Sequence, residues 1–424
     1  MLVPPTLVLV TKQYDVVVIG GGPSGASCAY WLAEAGHEVL VVEKKRFPRE
    51  KTCGDGLTPR SVRQLEDIGL GDELSQHHRF EGLRSIAFGK TLELKWPEHP
   101  DYPGYGYIVT RHDLDEMVAA RAEKAGAAVW QETEALEPLL ENGLVRGARV
   151  KGKESGKTID VKARYVVIAD GANSRFGRSL GTSRDRNYPL GMAIRGYFTS
   201  PRSKETMIES HLDLRDREGN VLPGYGWIFP VGDDRINVGV GLLSTFNQWK
   251  TVNTSHLMDA FVQTAPASWG ISAETACGPP TGGKLPMAFS VEPNVGPTFL
   301  VIGDASGAIN PFNGEGIAYA YETGRLAAKH LDEALVTNDG LALQRYRTEL
   351  DATYGLYYKV ARLFVKVIGR PEIMRALVGT GMHSRTLMDW VLRIMSNMLR
   401  PDELGPAEAA YKAVAAIVRV APGR

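Results

Sequence analysis

Residues 14–43 carry the most restrictive pattern in this 424-residue chain. Tyr14-Asp15-Val16-Val17-Val18-Ile19 is a short apolar run rich in β-branched residues, as suits a strand buried on both faces of a parallel sheet. It runs into Gly20-Gly21-Gly22-Pro23-Ser24-Gly25. A helix is expected over Ala26–Ala35, ending at Gly36, followed by a second buried strand that closes on Glu43 and Lys44. Each glycine has its own task in such a unit. Gly20 makes the tight turn, Gly22 lets a pyrophosphate reach the backbone, and Gly25 lets the helix pack close to the strand. Pro23 and Ser24 stand at the helix start, where unpaired N–H groups favour phosphate oxygens. Glu43, 23 residues after Gly20, is placed for ribose hydroxyls. An ordinary glycine-rich βα turn would share the glycines but not the closing acid. That acid disfavours a 2′-phosphate, so the unit suits FAD or NAD rather than NADP.

A second set of signals lies some 280 residues later. Phe299-Leu300-Val301-Ile302-Gly303-Asp304 reads as an apolar strand ending in a carboxylate, followed by Pro311-Phe312-Asn313-Gly314-Glu315-Gly316-Ile317 and a helix through Leu331. A carboxylate at a strand end beside a glycine-rich helix start suits a long ligand that spans the domain. Asp304 is placed for a ribityl chain, and the backbone N–H groups around Gly314, Gly316 and Ile317 for the N1/C2=O edge of a flavin, where reduced flavin carries negative charge. FAD is therefore the expected cofactor. Midway, Tyr165–Ser174 reads as strand and turn containing Asp170-Gly171, and Arg111 opens a helix predicted over 113–125. Arg111 is a partner for the pyrophosphate or ribityl chain, or else a solvated helix-start arginine.

Taken together, the 20–25 turn, Arg111, Asp170-Gly171 and Gly303-Asp304…Pro311…Gly314-Glu315-Gly316 resemble the FAD hydroxylase superfamily over roughly residues 14–335. Within it the chain most resembles the geranylgeranyl reductase family. The residues that carry this are Cys53-Gly54-Asp55-Gly56, after the first βαβ unit, and the strand Tyr225-Gly226-Trp227-Ile228-Phe229-Pro230. The pattern is also similar to the actinobacterial branch that saturates one double bond in the isoprenoid tail of menaquinone. The resemblance implies an α/β plus α+β fold. A glutathione-reductase-type, Rossmann-like FAD-binding domain would hold an inserted antiparallel-sheet substrate domain, and a helical region would follow. It assigns Lys44, Ala135 and the Cys53–Gly56 loop to the FAD contacts, and Cys53, Tyr225 and Trp227 to the reacting end. It implies a polyprenyl lipid substrate such as menaquinone. Only one dinucleotide fingerprint is visible, so the electron donor is left open between NADH docking on the flavin, ferredoxin and another flavoprotein. Flavin halogenases carry tryptophan and isoleucine where Tyr225 and Phe229 stand. A flavin monooxygenase of an aromatic or quinone ring remains the alternative, and a flavin-bearing lipid carrier the second.

The expected organisation is a tail at 1–13, FAD-binding segments at 14–80, 108–180 and 286–335, a substrate-domain hairpin at 81–107, the substrate sheet at 181–285 and helices over 336–424. Strands are expected over 191–199, 206–214, 225–230 and 235–243, with Val231–Asp234 as a hairpin loop. Side chains 225, 227 and 229 share one strand face, so they wall an apolar pocket or fill a sheet core under a helix. Gly226 is a place where a substrate or flavin ring could come close.

Zero net charge gives no hint of nucleic-acid binding. Residues 355–424 nevertheless hold 11 Lys/Arg against 5 Asp/Glu. Helices written on 355–370 and 385–400 set apolar residues against Lys359, Arg362, Lys366 and Arg370, and against Arg385, Arg393 and Arg400. They suit either peripheral contact with an anionic membrane surface or ordinary surface packing. No stretch is long and apolar enough to span a bilayer. The expected location is cytoplasmic, on the inner face of the cell membrane.

Three cysteines without ligand spacing argue for a reducing compartment and against a metal site or a disulfide framework. Cys53 is then either a small residue in a tight loop or a thiol with a proton or redox role. Arg46, Arg49 and Lys51 would favour its thiolate if they faced it. The proton donor is left open among Cys53, Tyr225 and water.

Overall fold

A computed structural model describes residues 13–246, 248–400, 402–403 and 405–420. Apart from residue 13, the N-terminal tail lies outside them. Its centre is a parallel sheet in which Ala128–Trp130, Val39–Val42, Tyr14–Ile19, the second half of Thr158–Ile168, and Phe299–Val301 lie side by side in that order. Val16, Val17 and Val18 are fully buried, which is why the first strand is apolar on both faces. The first half of Thr158–Ile168 pairs antiparallel with Leu144–Gly152, which pairs in turn with Thr133–Glu141.

The first helix runs Pro23–Glu34, three residues earlier than expected, with Gly22 as its N-cap. Pro23 needs no N–H partner in the first turn and already has a helical φ. The Ile317–Thr337 helix packs against it. A side chain at Gly324 would come within 2.5 Å of the Ser24 carbonyl oxygen, and one at Gly303 within 2.4 Å of Ser24 Oγ. These close approaches bring the two ends of the cofactor signature together from opposite ends of the sequence.

A second, seven-stranded sheet orders Thr281–Pro286, Leu190–Thr199, Arg235–Leu243, Gly224–Pro230, Met207–His211, Gly82–Ala87 and Lys90–Lys95. Its pairs are antiparallel except Met207–His211 with Gly82–Ala87. The Val231–Asp234 loop closes a hairpin, with Val231 N–H donating to the Arg235 carbonyl. Helices Leu356–Ile368, Pro371–Gly381, Arg385–Met395 and Pro406–Val420 form the C-terminal layer. Among the described residues no helix is long and apolar enough to cross a membrane.

Candidate cofactor and substrate site

The glycine turn is built by contact. A Cβ on Gly20 would sit 2.4 Å from the Ala169 carbonyl oxygen, and one on Gly25 would sit 1.9 Å from the Gly20 carbonyl oxygen. Gly20 also has φ +104, a region glycine enters without steric cost. Gly22 differs. The space its side chain would occupy is open and rimmed by two guanidiniums, with Arg49 Nη2 at 3.7 Å and Arg111 Nη2 at 4.0 Å. Open backbone beneath two arginines, at the start of a helix, is a site for a pyrophosphate.

Arg111 is buried and clamped by Asp115 at 2.6 and 2.8 Å. Arg49 Nη1 meets the same Asp115 at 2.9 Å, and Arg49 Nη2 meets Glu43 at 3.3 Å. Its Nε is buried without a protein partner. Two cations share two carboxylates here, and both keep capacity for an anion. Glu43 accepts from Gly21 N–H and Lys45 N–H at 3.0 Å each, which fixes its carboxylate beside the turn. Lys44 is exposed at the rim.

Asp304 lies close enough to Arg111 to help hold that guanidinium protonated. A Cβ on Gly316 would lie 3.3 Å from Asp304 Oδ1. The Gly314 and Glu315 N–H groups are taken up by the Asn310 carbonyl and Asn313 Oδ1, at 2.9 Å each. The helix starts at the Gly316–Ile317 end of the segment, where the first backbone N–H groups have no intrahelical acceptor. Asp170 Oδ2 accepts from Arg175 and Phe176 N–H groups, while its Oδ1 is buried with no protein partner. Gly171 has φ +82, and a Cβ on it would lie 3.9 Å from Lys51 Nζ. Ala135 is partly buried against the core of the sheet, two residues past Thr133, whose N–H donates to the Glu43 carbonyl. The open cradle at Gly22, the two arginines and the unpartnered Asp170 oxygen together fit FAD.

The Cys53–Gly56 loop faces the aromatic strand. Side chains on Gly54 or Gly56 would meet the Phe229 ring at 3.3 Å, and Gly54 also faces Trp227 Nε1 at 3.5 Å. At both glycines the loop packs closely on the Phe229 ring, and at Gly54 on Trp227 as well. The rings of 225 and 227 stand 5.9 Å apart, and those of 227 and 229 stand 6.3 Å apart.

The opposite face carries Gly226 and Ile228. A side chain on Gly226 would strike the Phe261 ring at 2.4 Å, so Gly226 makes room for the Thr254–Thr264 helix and not for a ring of substrate or flavin. That corrects the sequence expectation. The Gly226 and Ile228 face is thus sheet core packed under a helix.

Asp55 sits at φ +64 and is fully buried. Tyr197 OH at 2.5 Å and Asn237 Nδ2 at 2.7 Å donate to its Oδ2, and Arg111 N–H donates to its Oδ1 at 3.3 Å. Asn237 Nδ2 also donates to the Cys53 carbonyl at 2.9 Å, and its Oδ1 accepts from Trp227 Nε1 at 2.9 Å. One buried asparagine thus ties the cysteine loop to the aromatic wall. Burial pushes the Asp55 carboxyl up to about 6, against the pull of Tyr197 and Arg195.

Burial also raises the Cys53 thiol, with the Asp55 charge adding to it and Arg111 opposing. Arg49 is engaged with Glu43 and Asp115, Arg46 is exposed, and Lys51 points to Gly171. The expectation of a thiolate fails for that reason, and Cys53 is held as a neutral thiol. Tyr225 OH donates to the Asn313 carbonyl at 2.7 Å, and burial pushes it up to about 12. Trp227 is buried, its N–H bound to Asn237 Oδ1.

Sequence reasoning missed Arg49 and Asn237 as parts of this site. A single polar residue inside Ile236-Asn237-Val238 was the available signal for Asn237. All three cysteines are free, and among the described residues no cluster of metal-binding side chains occurs.

Residues 13–228 match the FAD binding domain family. The chain is 38% identical to the menaquinone reductase of Mycolicibacterium smegmatis, over 92% of this chain and 93% of that protein. It is 30% identical to the digeranylgeranylglycerophospholipid reductase of Thermoplasma acidophilum, over 77% and 80% of the two chains. Among solved structures it superposes on a geranylgeranyl bacteriochlorophyll reductase-like protein from Thermoplasma acidophilum with a TM-score of 0.77. That match has 23% identity and covers 95% of this chain and 99% of the other.

Proposed function

This chain belongs to the geranylgeranyl reductase family of FAD-dependent oxidoreductases, and on that footing we propose that it saturates a C=C bond in the polyprenyl tail of menaquinone or a related prenyl lipid. The observation that carries the reading furthest is the aromatic face of Tyr225, Trp227 and Phe229, packed on the Cys53–Gly56 loop and locked to it through Asn237. When bound, reduced FAD supplies two electrons together with one hydrogen, and the second hydrogen arrives as a proton.

An isolated alkene offers no carbonyl to polarise, so no oxyanion hole is required. What the chain must do is orient a greasy, flexible tail and keep water away. A wall of three rings does both. Arg49, Arg111, Glu43, Asp170 and Asp304 would hold the cofactor from its ribose to its ribityl end, and the Gly316–Ile317 backbone would meet the ring system.

The cellular test is the mass of the menaquinone pool. Cells lacking this protein should hold menaquinone about two mass units lighter, since one double bond fewer is hydrogenated. An unchanged pool rejects menaquinone as the substrate.

The substrate lives in a bilayer, and the C-terminal layer carries a surface suited to one. Leu363, Lys366, Val367 and Arg370 recur at steps of three and four and are all exposed, as are Arg375, Leu377, Arg385 and Leu387 on the next two helices. Tyr357, Val360 and Ala361 turn inward, but Val367 turns out with Leu363. Apolar side chains between cations, on a segment with an excess of 6 positive charges (11 minus 5), are complementary to an anionic lipid surface. We assign this face to peripheral contact with the cytoplasmic leaflet. The holoprotein should sediment with vesicles containing phosphatidylglycerol and stay in solution with phosphatidylcholine alone, and Lys366→Glu with Arg370→Glu should abolish the binding. A wild-type protein that ignores anionic vesicles contradicts the assignment.

A further inference from the structure

Glu315 lies between Gly314 and Gly316 at the mouth of the Ile317–Thr337 helix. Its Oε1 accepts from the Thr58 hydroxyl and, at 3.5 Å, from Ser61 Oγ. Its Oε2 is buried and has no partner in the protein. The charged and titratable groups around it are Arg60, Glu322, Tyr319, Tyr102, Tyr357 and Tyr225. Arg60, the cation among them, is clamped by both oxygens of Glu322 at 2.7 and 2.8 Å. Its charge is therefore answered elsewhere, and the answering carboxylate repels a second one. A buried carboxyl with one oxygen held by hydroxyls and the other unpartnered is best accommodated as the acid, with its proton on the free oxygen.

The place matters as much as the state. Tyr225 closes one end of the aromatic wall by donating to the Asn313 carbonyl, two residues before Glu315. Its hydroxyl stands 3.7 Å from where a Gly314 side chain would begin. Glu315 thus stands at the helix start, two residues from the carbonyl that holds Tyr225 and near enough for its charge to act on the Tyr225 hydroxyl.

The other acids near the cleft are poorer donors. Tyr225 is pushed up to about 12, and Cys53 is raised by burial. Asp55 has both oxygens hydrogen-bonded within its own network. Burial brings Glu315 up to about 7, the strength at which a general acid works well near neutrality.

We infer that the Glu315 carboxyl supplies the proton to the second carbon of the alkene, an inference that rests on the reductase reading above. The π bond breaks, and one carbon gains a hydrogen with both electrons from the reduced cofactor. The other carbon gains the Glu315 proton, leaving a carboxylate that takes a proton from water before the next turnover.

Glu315→Gln keeps an acceptor for Thr58 and removes the transferable proton. The holoprotein is reduced anaerobically, mixed with menaquinone, and followed by flavin reoxidation and product mass. The variant should retain FAD and its melting temperature while single-turnover reduction falls about 10²–10⁴-fold. The wild-type rate should fall as pH rises through about 7, and the variant should lack that limb. Infrared spectra of the oxidised holoprotein give a readout independent of turnover. A protonated-carboxyl C=O band should titrate near 7 in the wild type and be missing in the variant. A variant that turns over within about threefold of wild type with the same pH limb overturns the assignment, as does a band that persists in it. If wild-type protein leaves the tail unreduced, the reductase reading itself fails, and the infrared result no longer concerns this reaction.

Discussion

Gly25→Ala is expected to give a colourless protein. The added methyl would sit 1.9 Å from the Gly20 carbonyl oxygen, 3.1 Å from its carbon and 3.2 Å from Ala169 Cβ. Both obstacles belong to the turn and strand ends on which the cofactor rests, and backbone cannot swing aside as a flexible side chain can. Overpacking of this kind costs about 1–3 kcal/mol even where neighbours can shift. Here the shift itself opens the turn away from the phosphates. FAD content per polypeptide, read from the visible spectrum, should drop to a small fraction of wild type. Gly104→Ala is the matched control, since nothing lies within 4 Å of its side-chain position. A yellow Gly25→Ala protein with full FAD content would show that the close approach is not needed.

The second large effect is expected at Asn237, which is fully buried in the strand beside the aromatic wall. Asn237→Leu fills a similar volume but strands Trp227 Nε1 and removes a donor from both Asp55 and the Cys53 carbonyl. Each buried polar group left without a partner costs about 1–3 kcal/mol, so a loss of roughly 3–5 kcal/mol follows. The loss should depend on pH. In the wild type the Asp55 carboxyl is raised from 3.8 to about 6, so burial disfavours its ionised form. The stability associated with the neutral acid is full below the unfolded value and is lost as pH rises through about 6. Removing the Asn237 donor withdraws a group that favours ionisation, which raises that carboxyl further. The variant should therefore be more impaired above pH 6 than below it in urea unfolding. A cost under about 1 kcal/mol, or one that is flat with pH, would mean the network does not hold the loop.

These two sites show what the sequence made legible and what it did not. The Gly25 constraint could be read from the chain because strand, turn, helix and acid follow one another, and the spacing alone dictates which glycine meets which neighbour. The strands around Trp227 were legible for the same local reason, an alternation with turn residues between. Asn237 was not. Its partners, Cys53, Asp55 and Trp227, lie far from it in sequence or across a hairpin, and nothing in an isolated asparagine names them. Arg49 was hidden likewise, since only the fold sets it opposite Arg111 over Gly22. The face of Gly226 was misread because alternation tells which residues share a face but not what lies above it. The Phe261 ring decides that, and it arrives from a separate helix. The same limit applied to the C-terminal helices, where the basic and apolar periodicity was visible but the exposure of Val367 was not.

The reaction proposed for this site is the addition of hydrogen across an isolated prenyl double bond. Its most direct measurement is an anaerobic single turnover of the reduced holoprotein with menaquinone, analysed by mass and by fragmentation of the tail. The expected product is heavier by two hydrogens, both on one isoprene unit, with the quinone ring carbon skeleton unchanged and flavin reoxidised in step. A product that gains oxygen only when air is admitted would identify a monooxygenase. Bound but unaltered menaquinone, with the flavin still reduced, would leave a carrier, and either result would contradict the reductase.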